Sequence, residues 1–392
     1  MSAIETFRKE TRAWLQSNCP ESMRVPDPIG KETFWGGRDA TFISQDQKIW
    51  FERMVEKQWT VPYWPKEYGG GGLDDDECQV LNEEMSALSC RTPLTGFGIW
   101  MLGPVLLKYG TEEQKKKYVR EITEGQVRWC QGYSEPGAGS DLASLRTQAV
   151  PDGDDYVITG SKIWTSYAHL ADAIFMLART SSESKHGGIS FMLVHDMKAP
   201  GIQVSPIELI SGQSQFCETH FEGVRTPKAN LIGEENQGWE IAMYLLQHER
   251  ANIGKLTMGG GESSIDVALK TVGLQDGKLA DPLLRQKLAQ QDMRGMALRL
   301  TGQRVEDESG ASLNMGHASA ALKYNTSEWN KARHELNVTM TGFDGLAWEG
   351  DEYMDGYRIR SMLRTKANSI EGGTGEIQLN IISKRILGLP KN

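Results

Sequence analysis

The chain has 392 residues, with 43 Lys and Arg against 52 Asp and Glu and a net charge of -9. That balance, with a pI near 5.5, offers no basic footprint for nucleic acid or anionic lipid and directs attention to a small-molecule substrate. At 39% hydrophobic and 24% charged residues the composition is globular, and the length exceeds what one core encloses, so two or three packed domains are expected.

Residues 1–128 read as an N-terminal α-helical domain. Ile4, Phe7, Trp14 and Leu15 share one face of AIETFRKETRAWLQSN, the spacing of an amphipathic helix. TEEQKKKYVREI opens with the capping box Thr111 to Gln114. Between them, the prolines and four successive glycines of WTVPYWPKEYGGGGLDDDE predict a loop. The acidic run Asp74–Glu77 reads as solvated.

Residues 129–235 change to short β-branched and aromatic segments separated by turn residues: DDYVITGSKIWTS, AIFMLART, ISFMLVHD, IQVSPIEL and CETHFEGVRT. This is the pattern of a β domain built from hairpins. Helical spacing returns over 236–392, through EIAMYLLQHERANIGKLTM, DPLLRQKLAQQDMRGMALRLTG, the stretch around Ala321–Tyr324 and a final EIQLNIISKRIL ending at Gly388 and Pro390. The order is α, β, α. No internal repeat and no low-complexity segment is present.

The five cysteines (Cys19, Cys78, Cys90, Cys130, Cys217) are odd in number and scattered, without the close pairs of a zinc or dithiol centre, which suggests a reducing compartment. The start of the chain lacks the apolar stretch of a signal peptide, and no later run approaches a membrane span, so a cytoplasmic enzyme is expected. The seven histidines are not clustered, so no metal site is expected, and no Gly-x-Ser-x-Gly elbow marks a hydrolase.

Three stretches can carry chemistry. YSEPGAGSD holds Gly137 and Gly139, but the third glycine of a dinucleotide fingerprint would fall on Leu142; the segment reads either as a tight turn or as a short loop whose N–H groups hold a polar cofactor. GSKIWTSYA sets Trp164 beside Thr165 and Ser166, which is either a core tryptophan or a flat apolar surface with hydroxyls at its edge, suited to a planar heterocycle. In EIAMYLLQHERANIG, positions 241, 245, 249 and 253 follow one helical face, and Glu249 interrupts Ile241, Leu245 and Ile253. Burial there would raise its proton affinity and make it a base; the alternative is an acid at the wet margin of the stripe.

YSEPGAGSDLAS, GSKIWTS, RTPKANLIG, the Glu-Arg pair of QHERANIG and GGTGEIQLNIISKRILG together resemble the acyl-CoA dehydrogenases, in order and over nearly the whole chain. The resemblance implies an α+β fold: an N-terminal helical domain, a central β-barrel and a C-terminal four-helix bundle. It implies FAD as cofactor. By motif position Gln131, Tyr133 and Ser134 would lie along the isoalloxazine, Ser140 near the cofactor phosphates or the CoA arm, and Trp164 with Ser166 against the ring. Gly372, Gly373, Thr374 and Glu376 would hold the adenosine end, and Arg250 would contact substrate.

Many members carry the catalytic Glu immediately before the Gly-Thr of the last motif, where this chain has Gly372; Glu371 is displaced by one residue. Other members place the base before an arginine on a helix of the third domain, the position of Glu249. The implied reaction removes the α-proton of an acyl-CoA thioester to Glu249 as the β-hydrogen leaves as hydride to the flavin, giving a trans-2-enoyl-CoA. Electrons would pass to an electron-transferring flavoprotein. The usual Arg-x-x-Phe-Gly stretch, which reaches the FAD of a neighbouring subunit, is absent from KLADPLLRQKLAQQDMRG, where Arg285 alone stands nearby. Some bacterial steroid side-chain members share RWCQGYSEPGAGSDLASL and pair two different subunits, so either a homotetramer or an α2β2 heterotetramer is implied. A flavin monooxygenase or oxidase on the same fold, or the supporting subunit of a heteromer, are the rival readings. The Gly259-Gly260-Gly261 run either makes room for a bulky acyl group or ends a helix.

Overall fold

The computed structural model describes residues 2–25, 32–182, 184–246, 262–310 and 318–390. Glu249, Arg250, His248 and the triple glycine at 259–261 lie outside the described residues. Contacts divide the chain into two compact units, Met1–Pro206 with Phe216–Leu245, and Ile207–Gln215 with Leu246–Asn392.

In the first unit, helices Ala3–Asn18, Gln45–Glu56 and Asp75–Ala87 begin where the sequence caps them. Ser2 and Asp74 make capping boxes with Glu5 and Glu77, and the Ser44 hydroxyl accepts the Gln47 N–H, satisfying donors that a helix start leaves open. Their inner faces join in a core of Leu15, Trp50, Met54, Trp59 and Leu81, against which Trp14 stands edge-on to Trp59 at 5.0 Å. Glu84 sits among these apolar faces with its side chain 1% exposed, bridged to Arg8 at 3.0 Å and Arg12 at 2.5 Å. Burial pushes its carboxyl up, but the two guanidinium groups outweigh burial and hold it below the usual range.

The glycine-rich loop folds back on itself, the Gly71 N–H donating to the Val61 carbonyl at 3.2 Å and the Gly72 N–H to the Trp64 carbonyl at 2.8 Å. The Trp64 ring packs against Gly103, where an added Cβ would be 1.9 Å from Cη2. Gly103 itself follows a π-helical turn, Gly98–Leu102, and opens the helix Gly103–Tyr109. The Thr111–Gln114 capping box forms as expected. Its Gln114 amide then donates to the carbonyls of Ala229 at 2.8 Å and Leu231 at 2.7 Å, tying the helices to the sheet.

The sheet contains β1 (Trp129–Gly132), β2 (Gln148–Asp152), β3 (Asp155–Ser166), β4 (Ala173–Arg179), β5 (Ile189–Val194), β6 (Ile202–Ile207), β7 (Phe216–Pro227) and β8 (Leu231–Ile232). The order is β6-β7-β3-β2-β4-β5-β8, with β1 added parallel to β4. All five expected strands form. β4 and β5 are apolar on both sides and buried throughout β5, as strands covered on both faces must be. One face joins Ile158, Ile174, Met176, Met192 and Phe221; on the other, Phe175 stacks on Phe191 at 5.9 Å. A helix over 238–246 starts tight against β5, since a Cβ on Gly238 would lie 2.5 Å from the Ser190 carbonyl carbon.

The second unit is helical: Ser264–Thr271, Pro282–Gly310, Ala318–Thr341, Tyr357–Thr365 and Gly375–Ile381, with a small hairpin pairing Leu274–Gln275 with Lys278–Leu279. Val267, Ala268, Leu279, Leu336 and Met340 form its core. Trp329 and Gln291 lock the two long helices reciprocally. The indole N–H donates to the Gln291 carbonyl at 2.9 Å, and the Gln291 amide donates to the Trp329 carbonyl at 2.8 Å.

Two outcomes follow. Gly103→Ala forces the Trp64 ring out of place and is expected to destabilise the protein by about 1–3 kcal/mol, read as a lower urea midpoint at unchanged slope. Glu84 binds its proton more weakly folded than unfolded, so the stability it adds is present above about pH 4.5 and is lost as pH falls through its lowered folded value. Glu84→Gln is therefore expected to flatten the acid limb of a stability-against-pH curve while lowering stability at neutral pH.

Candidate active site

The most unusual backbone of the first unit is at the end of β3. Lys162 pairs with Thr219 and Thr165 with Cys217, so three steps on β3 face two on β7: a bulge of one residue. Up to that point Tyr156, Ile158 and Lys162 take the buried positions; beyond it the phase flips, and Thr165 is buried while Trp164 is 53% exposed. Trp164 has φ +62°, a left-handed conformation that a bulky side chain adopts only when its surroundings impose it. The core-tryptophan reading of GSKIWTS is thereby overturned. The indole is held outward with its edge against Phe216 at 6.2 Å, and beside it the buried Thr165 hydroxyl has no hydrogen-bond partner among the described residues.

YSEPGAGSD is anchored to this same strand. The Ile163 N–H donates to the Ser134 carbonyl at 2.9 Å, bringing Ser134 beside the Trp164–Ser166 segment. One residue on, the buried Glu135 accepts from Lys162 Nζ at 2.7 Å and from the N–H groups of Arg146 at 2.6 Å and Thr147 at 2.9 Å. Burial pushes the Glu135 carboxyl up, but Lys162 and these donors prevail and hold it below the usual range. Burial likewise drives the Lys162 ammonium down to about 8, against the pull of Glu135. The pair therefore stays ionised at neutral pH. Lys162 also donates to the Tyr133 carbonyl at 3.2 Å, so one ammonium engages both residues flanking Ser134, Tyr133 through its main chain and Glu135 through its carboxylate.

The turn itself is short. Glu135 and Ala138 exchange backbone hydrogen bonds at 3.0 and 2.9 Å, and a Cβ on Gly137 or Gly139 would meet nothing within 4 Å, so both face open space. Ser140 is exposed on this turn, next to Asp141, which is paired with Lys185 at 2.8 Å. Gln131 lies in β1 opposite Phe175, half-buried. The Tyr133 ring is 5% exposed and edge-on to Phe175 and Phe191, both at 6.4 Å. Gln131, Ser134, Trp164 and Ser166 are thus gathered about one strand end, offering a flat aromatic surface, hydroxyls and open main-chain groups. That donor set suits a planar heterocycle.

In the second unit the last motif forms a turn through Gly372 (φ +63°) and Gly373 (φ +91°), conformations that favour glycine. Thr374 caps the following helix, its hydroxyl accepting the Ile377 N–H at 3.3 Å. Glu376 is exposed, its own N–H and the Thr374 hydroxyl holding its carboxyl below the usual range. Beneath the turn, the buried Lys323 donates to the carbonyls of Asn368 at 2.9 Å and Gly373 at 2.8 Å. Glu371 is engaged by Arg364 at 2.8 Å and by the Asn368 amide at 2.6 Å. Arg364 also reaches Gln215 at 3.0 Å. Of the apolar stripe proposed to carry Glu249, Ile241 and Leu245 are both fully buried.

Sequence reasoning missed the Glu135–Lys162 pair and Lys323. Lys162 falls on the buried parity of Tyr156 and Ile158, a signal the alternation contains. Lys323 is marked by no comparable signal.

The comparisons agree along the whole chain. Three family models match: the acyl-CoA dehydrogenase N-terminal domain at residues 5–126, the middle domain at 130–224 and the C-terminal domain at 236–387. Acyl-CoA dehydrogenase IpdE1 of Mycobacterium tuberculosis is 34% identical over 397 residues, covering 100% of this chain and 99% of that protein. The solved Tcur3481-Tcur3483 steroid ACAD superposes with a TM-score of 0.78 at 32% identity, covering 100% of this chain and 98% of its own. The ChsE4-ChsE5 complex from Mycobacterium tuberculosis gives 0.75 at 28% identity, covering 100% and 99%. With this identity over its full length and a matched model for each of three successive domains, the chain belongs to the acyl-CoA dehydrogenase family.

Proposed function

We propose that the chain is an FAD-dependent dehydrogenase that converts an acyl-CoA thioester to its trans-2-enoyl-CoA and hands the electrons to an electron-transferring flavoprotein. The observation that carries this reading is the outward-held Trp164 on the β3 bulge. A large apolar ring in a left-handed conformation, beside an unpartnered buried Thr165 hydroxyl, fits the face and edge of an isoalloxazine. Gln131, Ser134, Trp164 and Ser166 would hold that ring, Ser140 would meet the phosphates or the CoA arm, and Gly372, Gly373, Thr374 and Glu376 would hold the adenosine end. When bound, FAD supplies the hydride acceptor.

The work of this chain's own residues is to bind, orient and take a proton. Glu249 is the proposed base, taking the α-proton of the thioester, and Arg250 the proposed substrate contact. Ile241 and Leu245, eight and four residues before Glu249, are buried, which supports an apolar surrounding that raises the proton affinity of the base toward what a weak carbon acid requires. Glu371 is already occupied by Arg364 and Asn368 and acts as a structural acid.

The substrate class proposed is a bulky, steroid-type acyl group, and the assembly a heterotetramer with a second subunit of the same family. The names of the similar proteins, a steroid ACAD and a ChsE4-ChsE5 complex, support both. So does the helix Pro282–Gly310, which leaves Met293, Met296 and Leu300 exposed at 63%, 47% and 58% at helical spacing, an apolar stripe of the kind a partner helix covers.

Glu249→Gln is expected to retain flavin yet lose anaerobic bleaching of the flavin by acyl-CoA by at least roughly 100-fold; bleaching at the wild-type rate would reject the base assignment. Trp164→Ala is expected to hold FAD roughly three- to tenfold more weakly, while Trp164→Phe keeps most of the affinity, as measured by flavin-to-protein ratio after dialysis.

A further inference from the structure

Two thiols meet at the foot of the N-terminal helix. Cys19 caps Ala3–Asn18 at its C-terminal end, its N–H donating to the Leu15 carbonyl at 2.9 Å, and is 3% exposed. Cys90 stands shortly past the end of Asp75–Ala87, half-buried, and packs against the core cluster that contains Cys19. The main chain holds the two stretches together. The Arg91 N–H donates to the Met23 carbonyl at 2.9 Å, and the Arg24 guanidinium donates to the Cys19 carbonyl at 2.6 Å. Both cysteines are free, and their side chains hydrogen-bond to each other.

The thiol pair is not symmetric. Its proton stays with Cys19, which is pushed up by the bond to Cys90 and by burial. Cys90 is pushed down by that same bond and by the charge of Arg24, with burial opposing. Arg24 is fixed beside the pair by the carbonyls of Gln16 and Cys19, and its buried Nε has no hydrogen-bond partner among the described residues. Cys78, in the first turn of Asp75–Ala87, supplies the contrast. It is half-buried as well, yet burial and the neighbouring Asp75 and Asp74 push its thiol up to about 11. A cation and a hydrogen-bond donor favour the thiolate, which is the nucleophile, whereas acids suppress it. The accessible thiol of the pair is thus the activated one, and a second thiol stands directly behind it.

We propose that Cys90 is a peroxide-reactive thiol and Cys19 its resolving partner, so that hydrogen peroxide converts the pair to a disulfide. The Cys90 thiolate attacks one peroxide oxygen; the O–O bond breaks, one proton is taken up, and the products are the Cys90 sulfenic acid and water. The Cys19 sulfur then attacks the Cys90 sulfur. An S–S bond forms as the S–O bond breaks, and the Cys19 proton leaves with the hydroxide as a second water. In sum, two thiols are oxidised while one peroxide is reduced to two waters. A resolving thiol already in contact captures the sulfenic acid before a second peroxide carries it to the sulfinic acid. The bond would staple the end of Ala3–Asn18 to the segment after Asp75–Ala87, and in a reducing compartment it would be transient. No step involves acyl-CoA or flavin, so the pair stands apart from the dehydrogenase reading.

The test is a time course of hydrogen peroxide treatment at neutral pH on the full chain, with whatever flavin and subunit co-purify, quenched by alkylation and read by peptide mass spectrometry. The wild type is expected to give a Cys19–Cys90 cross-linked peptide, lighter by two hydrogens than the two thiol peptides together and reverted by dithiothreitol. It should form about tenfold faster than Cys78 is oxidised. In Cys19→Ser the cross-link is lost and Cys90 is captured by dimedone as its sulfenic acid; in Cys90→Ser, Cys19 stays reduced. Arg24→Met slows the reaction about tenfold, and Arg24→Lys, which keeps the charge, restores part of the rate. Oxidation of Cys90 no faster than that of Cys78, or a Cys90 sulfenic acid that never passes to Cys19 in the wild type, overturns the proposal. So does an oxidation of Cys19 that persists in Cys90→Ser. Should Arg24→Met unfold because it loses its carbonyl contacts, the wild-type rates and the two serine variants still decide.

Discussion

Between Lys162 and Thr165, β3 holds one residue more than the stretch of β7 it pairs with, and this extra residue governs the candidate flavin surface. Before it, alternation turns Lys162 inward to meet Glu135; after it, the same alternation turns Thr165 inward and leaves Trp164 outside. Removing the extra residue would restore the parity and bury the indole, since a one-residue change of register exchanges the two faces of a strand. The bulge is thus the means by which a strand sends a lysine into the core and a tryptophan out of it within three positions.

The bulge would be idle without the ion pair beneath it. Glu135 and Lys162 are both buried, and a buried pair is a weak source of stability, because desolvation offsets most of the attraction. Its value here is positional. Glu135 takes two backbone N–H groups from the chain after the Gly turn, and Lys162 takes the Tyr133 carbonyl. The segment that precedes the turn, the segment that follows it and β3 are therefore fixed to one another by a single charged contact. Lys323 repeats the device in the other unit, where one buried ammonium binds the Asn368 carbonyl ahead of the Gly372–Gly373 turn and the Gly373 carbonyl within it. In each case a glycine-bearing loop is held by a buried lysine from another element.

Much of the fold was legible because it follows from local rules. The capping boxes at Ser2, Asp74 and Thr111, the loop at the four glycines and the five apolar strands all arise from residues within a few positions of one another. β1 was not recognised as a separate strand, since four residues, three of them buried, beside a parallel neighbour show no alternation. The small hairpin was missed although Asp276-Gly277, both at positive φ, is the turn that two-residue hairpins favour. In the candidate site, the residue types near Trp164 were legible, whereas its exposure was not. Exposure there depends on a register shift between strands some fifty residues apart, and periodicity within one strand carries no record of its partner.

Two acids competed in the sequence for the role of base, and the geometry around one of them bears on both. Glu371 has both oxygens committed, one to Arg364 and one to the Asn368 amide, and Arg364 in turn engages Gln215. A carboxylate so bound would have to surrender a charge-assisted pair before accepting a carbon-bound proton, leaving a half-buried guanidinium without its partner; that penalty falls on every turnover. A base for a weak carbon acid needs the opposite setting, an apolar wall and few donors, so that taking the proton relieves a buried charge. The stripe leading to Glu249 begins with two fully buried aliphatic side chains, and a glycine occupies position 372, where a side chain would otherwise compete. Under the proposed assignment the two positions divide the labour: Glu371, strongly paired, holds the last motif together, and Glu249 is the proposed base.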